Sequence, residues 1–255
     1  MGTSEDVESE GFDRTSLALP GRQDELVRAV AAVNPRTVVV VNAGAPVELP
    51  WRDDVSAVLV SWFPGMEFGN ALADVLLGAV EPGGRLPTTW PSAMTDAPVI
   101  DVTPTDGRLQ YTEGLDIGHR AYLASGTEPA YWFGHGLGYT TWDVVALDAP
   151  TQADGRGFEV SVRLRNTGSR PGKQVVQVYA SRPGSAVERP QRWLAGFAVV
   201  TAEPGQVVDV PVEIHARTLR HWDGGWVVEP GGLTLSVGAH AGDVRAQATV
   251  TLVQP

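Results

Sequence analysis

Residues 37–63 read TVVVVNAGAPVELPWRDDVSAVLVSWF, and two apolar runs inside them decide the fold of the first part of the chain. Residues 37–42 (TVVVVN) form a continuous β-branched run, and residues 57–63 (AVLVSWF) form a second. Runs that are apolar at every position suit strands buried on both faces, as in a parallel sheet. Upstream, residues 23–34 (QDELVRAVAAVN) carry the helical period. Leu26, Val30 and Val33 fall on one face, Asp24 and Glu25 lie in the first turn, and Pro35 follows the end. Downstream, Pro64-Gly65 breaks the chain, and residues 67–77 (EFGNALADVLL) predict a second helix closed by Gly78. Strands and helices alternating through short loops predict a layered α/β sheet. Only two strands and two helices are there to cover these apolar runs. An exposed apolar edge or face is therefore expected.

The character of the chain then changes. Residues 96 to about 150 are rich in Pro, Gly, Tyr and Trp and read as a strap packing over other structure. From residue 156 the pattern is all-β. Phe158, Val160, Val162 and Leu164 alternate with Glu159, Ser161, Arg163 and Arg165, as in a half-buried antiparallel strand turned by Asn166-Thr167-Gly168. Further strands are predicted at 175–181, 193–200, 207–214, 225–228, 233–237 and 246–252. Seven short strands with regular turns predict an immunoglobulin-like or fibronectin-type sandwich. With 0 cysteines the antibody disulfide pattern is excluded, as are thiolate metal sites and cysteine nucleophiles.

Composition narrows the function. The 255 residues hold 19 Lys+Arg against 30 Asp+Glu, a net charge of −11, and the single lysine is Lys173. Nucleic-acid affinity needs clustered Lys and Arg, so no nucleic-acid partner is expected. No apolar run approaches a membrane span, so no membrane partner is expected. The polar stretch MGTSEDVESEG is not a secretory signal, which gives a cytoplasmic expectation. The stretch Asn42 to Pro46 follows a buried strand but lacks the glycine spacing of a dinucleotide loop. His119, His135, His215, His221 and His240 are scattered, so neither a metal nor a cofactor is expected. Trp51, Trp62 and Trp90 flank the α/β strands, where core packing outweighs a ligand pocket. Trp193, Trp222 and Trp226 of the sandwich are likewise read as core or interface aromatics, with sugar stacking as the competing role.

Residues 5–13 (EDVESEGFD) put five acids in nine positions. On composition alone they form a solvated acidic run or a capping run. The longer string ESEGFDRTSLALPGRQDELVRAV (8–30) alters that weighing. With it come NAGAPVELPW (42–51), SWFPGMEFGNALADVLLGAVEPGGRLPTTWP (61–91), YTEGLDIGHRAY (111–122) and FGHGLGYTTW (133–142). In this order, these blocks resemble the C-terminal part of glycoside hydrolase family 3, the β-glucosidases and related exo-acting enzymes. Residues 143–253 resemble the fibronectin type III-like domain that often follows.

The resemblance implies a fold and a chemistry. The fold is a partial α/β sandwich domain over 1–95, an aromatic connecting segment over 96–145, and a fibronectin type III-like β-sandwich over 146–255. Members carry a (β/α)8 barrel before the α/β domain and hydrolyse with retention through two carboxylates. The barrel supplies an aspartate nucleophile, and a glutamate of the α/β domain is the acid/base. In the E-G-aromatic-D-R block that glutamate is Glu10, with Glu8 the near alternative. Asp13 and Arg14 are expected to hold the loop as a bidentate pair. Glu113 is a conceivable supporting acid, with a structural role favoured. The barrel and the first half of the α/β domain have no counterpart here, so this chain alone is expected to be inactive. It reads as a fragment, a late-called start, or the subunit of a split enzyme. Expected partners are a β-glucoside-class carbohydrate, a barrel-bearing chain or a second copy of this chain. The competing reading is a non-catalytic carbohydrate-binding or interaction subunit. His135 and Gly138 stand where the family has Tyr and Ser.

Overall fold

The computed structural model describes residues 1–98 and 102–254. It divides into two compact units. The first comprises Met1–Leu76, Trp90–Leu109 and Glu128–Tyr131; the second comprises Leu77–Thr89, Gln110–Thr127 and the chain from Trp132 onward.

In the first unit, helix α1 spans Gln23–Val33, with Asp24 and Glu25 in its first turn. It stops at Asn34, whose N–H bonds the Val30 carbonyl, before Pro35 denies a further donor. Strands β1 (Val38–Val41) and β2 (Ala57–Val60) pair in parallel, with Val38 opposite Ala57 and Val41 opposite Val60. Helix α2 spans Phe68–Leu76. The α/β order predicted from the two apolar runs is thus the observed one. Residues 1–3 run beside the end of β1. The Met1 ammonium donates to the Val40 carbonyl (2.8 Å), Asn42 N–H to the Met1 carbonyl (2.9 Å), and Thr3 N–H to the Asn42 carbonyl (3.0 Å).

The core of this unit lies under the loops after β1. Val39, Val41, Ala43, Val47, Leu49, Trp51 and Trp90 are buried, with Val27 from α1. Each buried indole N–H has a partner, as burial of a polar handle requires. Trp51 Nε1 donates to Asp24 (2.7 Å) and Trp90 Nε1 to the Val47 carbonyl (2.5 Å). Two of the three α/β tryptophans are therefore core residues; Trp62 is half-buried, its ring 5.9 Å from that of Trp90.

The exposed apolar face expected from the shortage of strands is found on α1. Val27 is its buried residue, while Leu26, Val30 and Val33 are exposed, Val33 by 83%. Helix α2 buries no residue, and Met66 before it is 100% exposed. An open groove of about 590 Å³ runs between β2 and α2, lined by Leu59, Pro64, Met66, Phe68, Leu72 and Val75. A sheet of two strands shields too little of the helix surface to bury these faces.

The second unit holds helix α3 (His119–Ser125) and a β-sandwich. Strands β3 (Trp142–Asp148), β5 (Gly157–Asn166) and β8 (Val207–His215) form one sheet in the order β3-β5-β8. The other sheet runs β4-β12-β11-β6-β7, from β4 (Gln152–Ala153), β6 (Gly172–Ser181), β7 (Trp193–Ala202), β11 (Gly231–Gly238) and β12 (Ala246–Leu252). After the short helix α4 (Ala216–Leu219), strands β9 (Arg220–Trp222) and β10 (Trp226–Val228) pair as a separate hairpin.

Alternation builds the core, because successive strand residues face opposite sides. Val160, Val162 and Leu164 of β5 meet Val210, Val212 and Ile214 of β8, and Val178, Leu233, Leu235 and Val250 of the facing sheet, all buried. The fully buried Asn166 fastens the turn after β5. Its side chain accepts from Thr140 Oγ1 (2.5 Å) and Gly168 N–H (3.1 Å), and donates to the Arg170 (2.8 Å) and Ala202 (3.0 Å) carbonyls.

Residues 77–89, grouped with the α/β part in the sequence reading, hydrogen-bond within this second unit. Leu86 N–H donates to the His135 carbonyl (2.9 Å), and Gly134 N–H to the Leu86 carbonyl (2.8 Å). Gly134 has φ +85°, and a Cβ there would lie 1.9 Å from Gln177 Oε1. Glycine is required at that point of the FGHGLGYT strap.

Candidate active-site loop

Glu8, Glu10, Asp13 and Arg14 lie on one loop of the first unit. A turn precedes it, with Val7 and Glu8 N–H both donating to the Ser4 carbonyl (2.9 and 3.0 Å). The loop reverses over Glu10-Gly11. Ser9 bridges Phe12, and Ser9 Oγ accepts from Gly11 N–H at 3.1 Å.

Both ends of this reversal are fastened to the stretch that follows β1. At the leading end, Glu8 Oε2 accepts from Thr3 Oγ1 (2.7 Å) and from Gly44 N–H (3.1 Å). At the trailing end, Arg14 Nη1 donates to the Pro46 carbonyl (3.1 Å). The Arg14 Nε and Nη2 atoms are buried and have no hydrogen-bond partner. Gly44 is there for space: a Cβ would stand 2.6 Å from the Phe63 ring and 2.9 Å from Glu8 Oε1. Between the anchors, Glu10, Gly11, Phe12 and Asp13 are exposed. One carboxylate is thus bound into the scaffold, and the one two residues later projects from it.

The bidentate Asp13–Arg14 pair expected from the sequence does not form. Arg14 turns to the Pro46 carbonyl, and no ion pair joins it to Asp13 among the described residues. Arg14 still holds the loop, through a backbone carbonyl. Glu113 lies in the second unit, half-buried in a turn where its carbonyl accepts from Asp116 N–H (2.9 Å).

Two anchors escaped the sequence reading, Gly44 and the Pro46 carbonyl. The signal was the Gly44-Ala45-Pro46 turn itself, which the sequence reading weighed only against a dinucleotide loop. Among the described residues no group of three or more His, Asp or Glu side chains is placed to hold a metal, and no helix is long and apolar enough to cross a membrane.

Comparison with known proteins matches both parts of the chain. Residues 1–139 match the glycosyl hydrolase family 3 C-terminal domain, and residues 174–241 match the fibronectin type III-like domain. The chain is 42% identical to a β-glucosidase of Rhizobium radiobacter, across 99% of this chain and 32% of that protein. It is 37% identical to the thermostable β-glucosidase B of Acetivibrio thermocellus, across 98% of this chain and 34% of that protein. Among solved structures, the β-glucosidase of Kluyveromyces marxianus in complex with glucose superposes with a TM-score of 0.90 at 37% identity, covering 99% of this chain and 31% of that one. DesR, a β-glucosidase from Streptomyces venezuelae in complex with D-glucose, gives a TM-score of 0.89 at 35% identity, covering 96% of this chain and 32% of that one. The chain spans about a third of the length of these relatives. With its first 139 residues matching the family domain and its whole length matching the C-terminal portion of such enzymes, the chain belongs to glycoside hydrolase family 3.

Proposed function

We propose that this chain is the acid/base-bearing portion of a retaining β-glucosidase-like hydrolase, and that Glu10 is the acid/base. The observation that carries this reading is the division of labour on the 8–14 loop. Glu8 is engaged by Thr3 and Gly44 N–H, whereas Glu10 projects from a turn anchored on both sides. A proton-transfer group must reach the leaving oxygen from a rigid base, and a carboxylate already held by two donors is poorly placed to do so.

In this reading the nucleophile is an aspartate on a barrel supplied by residues outside this chain. A retaining pair stands about 5–5.5 Å apart across the scissile bond. Glu10 first gives its proton to the leaving oxygen, then takes one from the water that opens the glycosyl-enzyme. Covering the loop by a second domain would exclude bulk water, which favours the protonated form of a carboxylic acid. The open faces of α1 and α2 support such a covering, since they leave Val33 and Met66 in water. Without the nucleophile the chain alone is inactive.

Complementation tests the reading. The chain is mixed with the separately produced barrel-bearing portion of a family 3 β-glucosidase, and hydrolysis of p-nitrophenyl β-glucoside is followed. Expected is no turnover from either part and turnover from the mixture. Glu10→Gln should lower it about 10²–10⁴-fold, the range for general acid–base catalysis. Glu8→Gln should raise KM and lower kcat together, through a displaced loop. Hydrolysis by the chain alone that survives Glu10→Gln would overturn the assignment.

A further inference from the structure

The sandwich tryptophans, taken together in the sequence as core or interface residues, part company in the structure. Trp193 is buried in the core, its Nε1 donating to the Thr218 carbonyl (2.9 Å). Trp222 and Trp226 are 66% and 51% exposed. They are directly opposed across the β9–β10 hairpin and so share one side of it. Their rings meet at 81° with centroids 5.5 Å apart, one edge against the other's face. The Arg217 guanidinium lies 5.3 Å over the Trp226 ring, and the exposed Asp223 sits on the turn between the two strands. Trp222 therefore keeps the more open aromatic face.

This hairpin is held unusually firmly for so small an element. Val228 at its end is buried in the sandwich core. Arg220 donates to the Gly155 carbonyl (3.3 Å), and His221 contacts Arg189 (3.3 Å). Arg189 in turn pairs with Glu229, directly after β10, and Glu229 also pairs with the buried Arg182, both at 3.1 Å. Two indoles are thus fixed in place yet left in water. Rigid presentation lowers the cost of binding and suits a recognition element.

We propose that the Trp222–Trp226 hairpin is a non-catalytic binding site for the pyranose rings of a β-glucan. A pyranose offers a flat C–H face and a rim of hydroxyls. The hairpin offers aromatic faces flanked by a guanidinium and a carboxylate, the matching chemistry. Size argues in the same direction. Each indole buries roughly 150–250 Å², so the pair falls well short of the about 800 Å² per partner of a stable protein interface. A second copy of the chain is disfavoured further by its net charge of −11, since like-charged copies repel. The choice of a β-glucan rests on the proposed hydrolase function; the site itself does not.

The test titrates the chain with cellopentaose, with maltopentaose as the α-linked control, following the indole N–H resonances of its 8 tryptophans by NMR. Cellopentaose should shift two of the resonances, and Trp222→Phe and Trp226→Phe should identify them. Trp222→Ala should weaken binding at least ten-fold, and Trp222→Phe less. The Phe variants keep the cross-strand pair should an alanine disturb the hairpin. No shift with cellopentaose, or shifts untouched by the Trp222 variants, would overturn the site. A self-association lost in Trp222→Ala, seen by sedimentation, would overturn it in favour of a copy-to-copy contact. Absent binding beside a working complementation defeats this site alone. Binding beside a failed complementation defeats the hydrolase reading alone.

Discussion

The two units solve the same problem with opposite success. The sandwich closes its core with its own strands. Val162, Val178, Val212, Ile214 and Leu235 lose all contact with water between its two sheets. The α/β unit carries equally apolar elements, but its sheet has two strands, and Val33, Phe63 and Met66 remain in water. Hydrophobic pattern therefore sets which elements form, while the number of neighbouring strands decides which faces are buried. The same contrast reaches function. The sandwich presents a surface over a closed core, whereas the α/β unit presents an exposed loop beside apolar side chains left in water.

The sharpest way to break this comparison is to cut each side equally. Leu235→Ala in the sandwich should cost about 2–5 kcal/mol, the range for a fully buried leucine. Met66→Ser or Val33→Ser should change stability by less than about 0.5 kcal/mol. Urea unfolding followed by circular dichroism measures both, and comparable losses would erase the distinction. The serine variants should also aggregate less in sedimentation.

Comparable in size is the effect expected at Glu229. Burial alone would raise its pKa, but the Ala186 N–H, the Ser185 and Arg189 side chains and the Arg182 charge outweigh that and hold it at about 2. Glu229→Gln leaves two largely buried guanidinium groups without their counter-charge and should cost about 3–5 kcal/mol. The sign with pH follows from the lowered value. The stabilisation is present above the unfolded pKa of about 4.3 and disappears as pH falls toward the folded value of about 2. A thermal-unfolding series between those limits should show a slope that Glu229→Gln abolishes.

His119 sharpens the picture at milder pH. Its ring stacks on Phe133 with centroids 4.9 Å apart, and its Nε2 is buried with no hydrogen-bond partner. Burial, with Arg120 and Arg192 nearby, lowers its pKa to about 4. The unfolded chain takes up a proton that the fold refuses, so stability should fall as pH drops from about 6.5 toward 4. His119→Phe should flatten the Tm profile in that window while leaving the Glu229 step below it.

The smallest expected effect is at the candidate loop over residues 8–14. Gly44→Ala drives a Cβ against the Phe63 ring and the Glu8 carboxylate and should cost about 1–3 kcal/mol, the usual overpacking range. Its clearer readout is the complemented activity, which should fall because Gly44 N–H holds Glu8.

Local pattern carried most of the fold. The two helices, the two parallel strands and the alternating sandwich strands lie within one to three residues of their sequence positions, because capping, proline stops and period-two alternation act over a few residues. What escaped depends on distant contacts. The open face of α1 carrying Leu26, Val30 and Val33 is expected from the shortage of strands, but that Val27 is the residue covered depends on a neighbour that the helical period does not contain. The Leu86 to His135 hydrogen bond joins residues 49 positions apart in number, a pairing that no local signal announces. At the candidate site, the family block puts Glu10 first and keeps Glu8 as the near alternative. Only the fold reveals that Glu8 reaches Gly44, 36 residues on.

Hydrogen exchange on the isolated chain, followed by mass spectrometry, separates a closed sandwich from an open α/β unit. Strong protection is expected in β5, β6, β8 and β11 and weak protection across residues 8–14 and 37–63. Adding the barrel-bearing portion should protect the latter two stretches and leave the sandwich unchanged. Equal protection of both units in the isolated chain, with no change on addition, would contradict it.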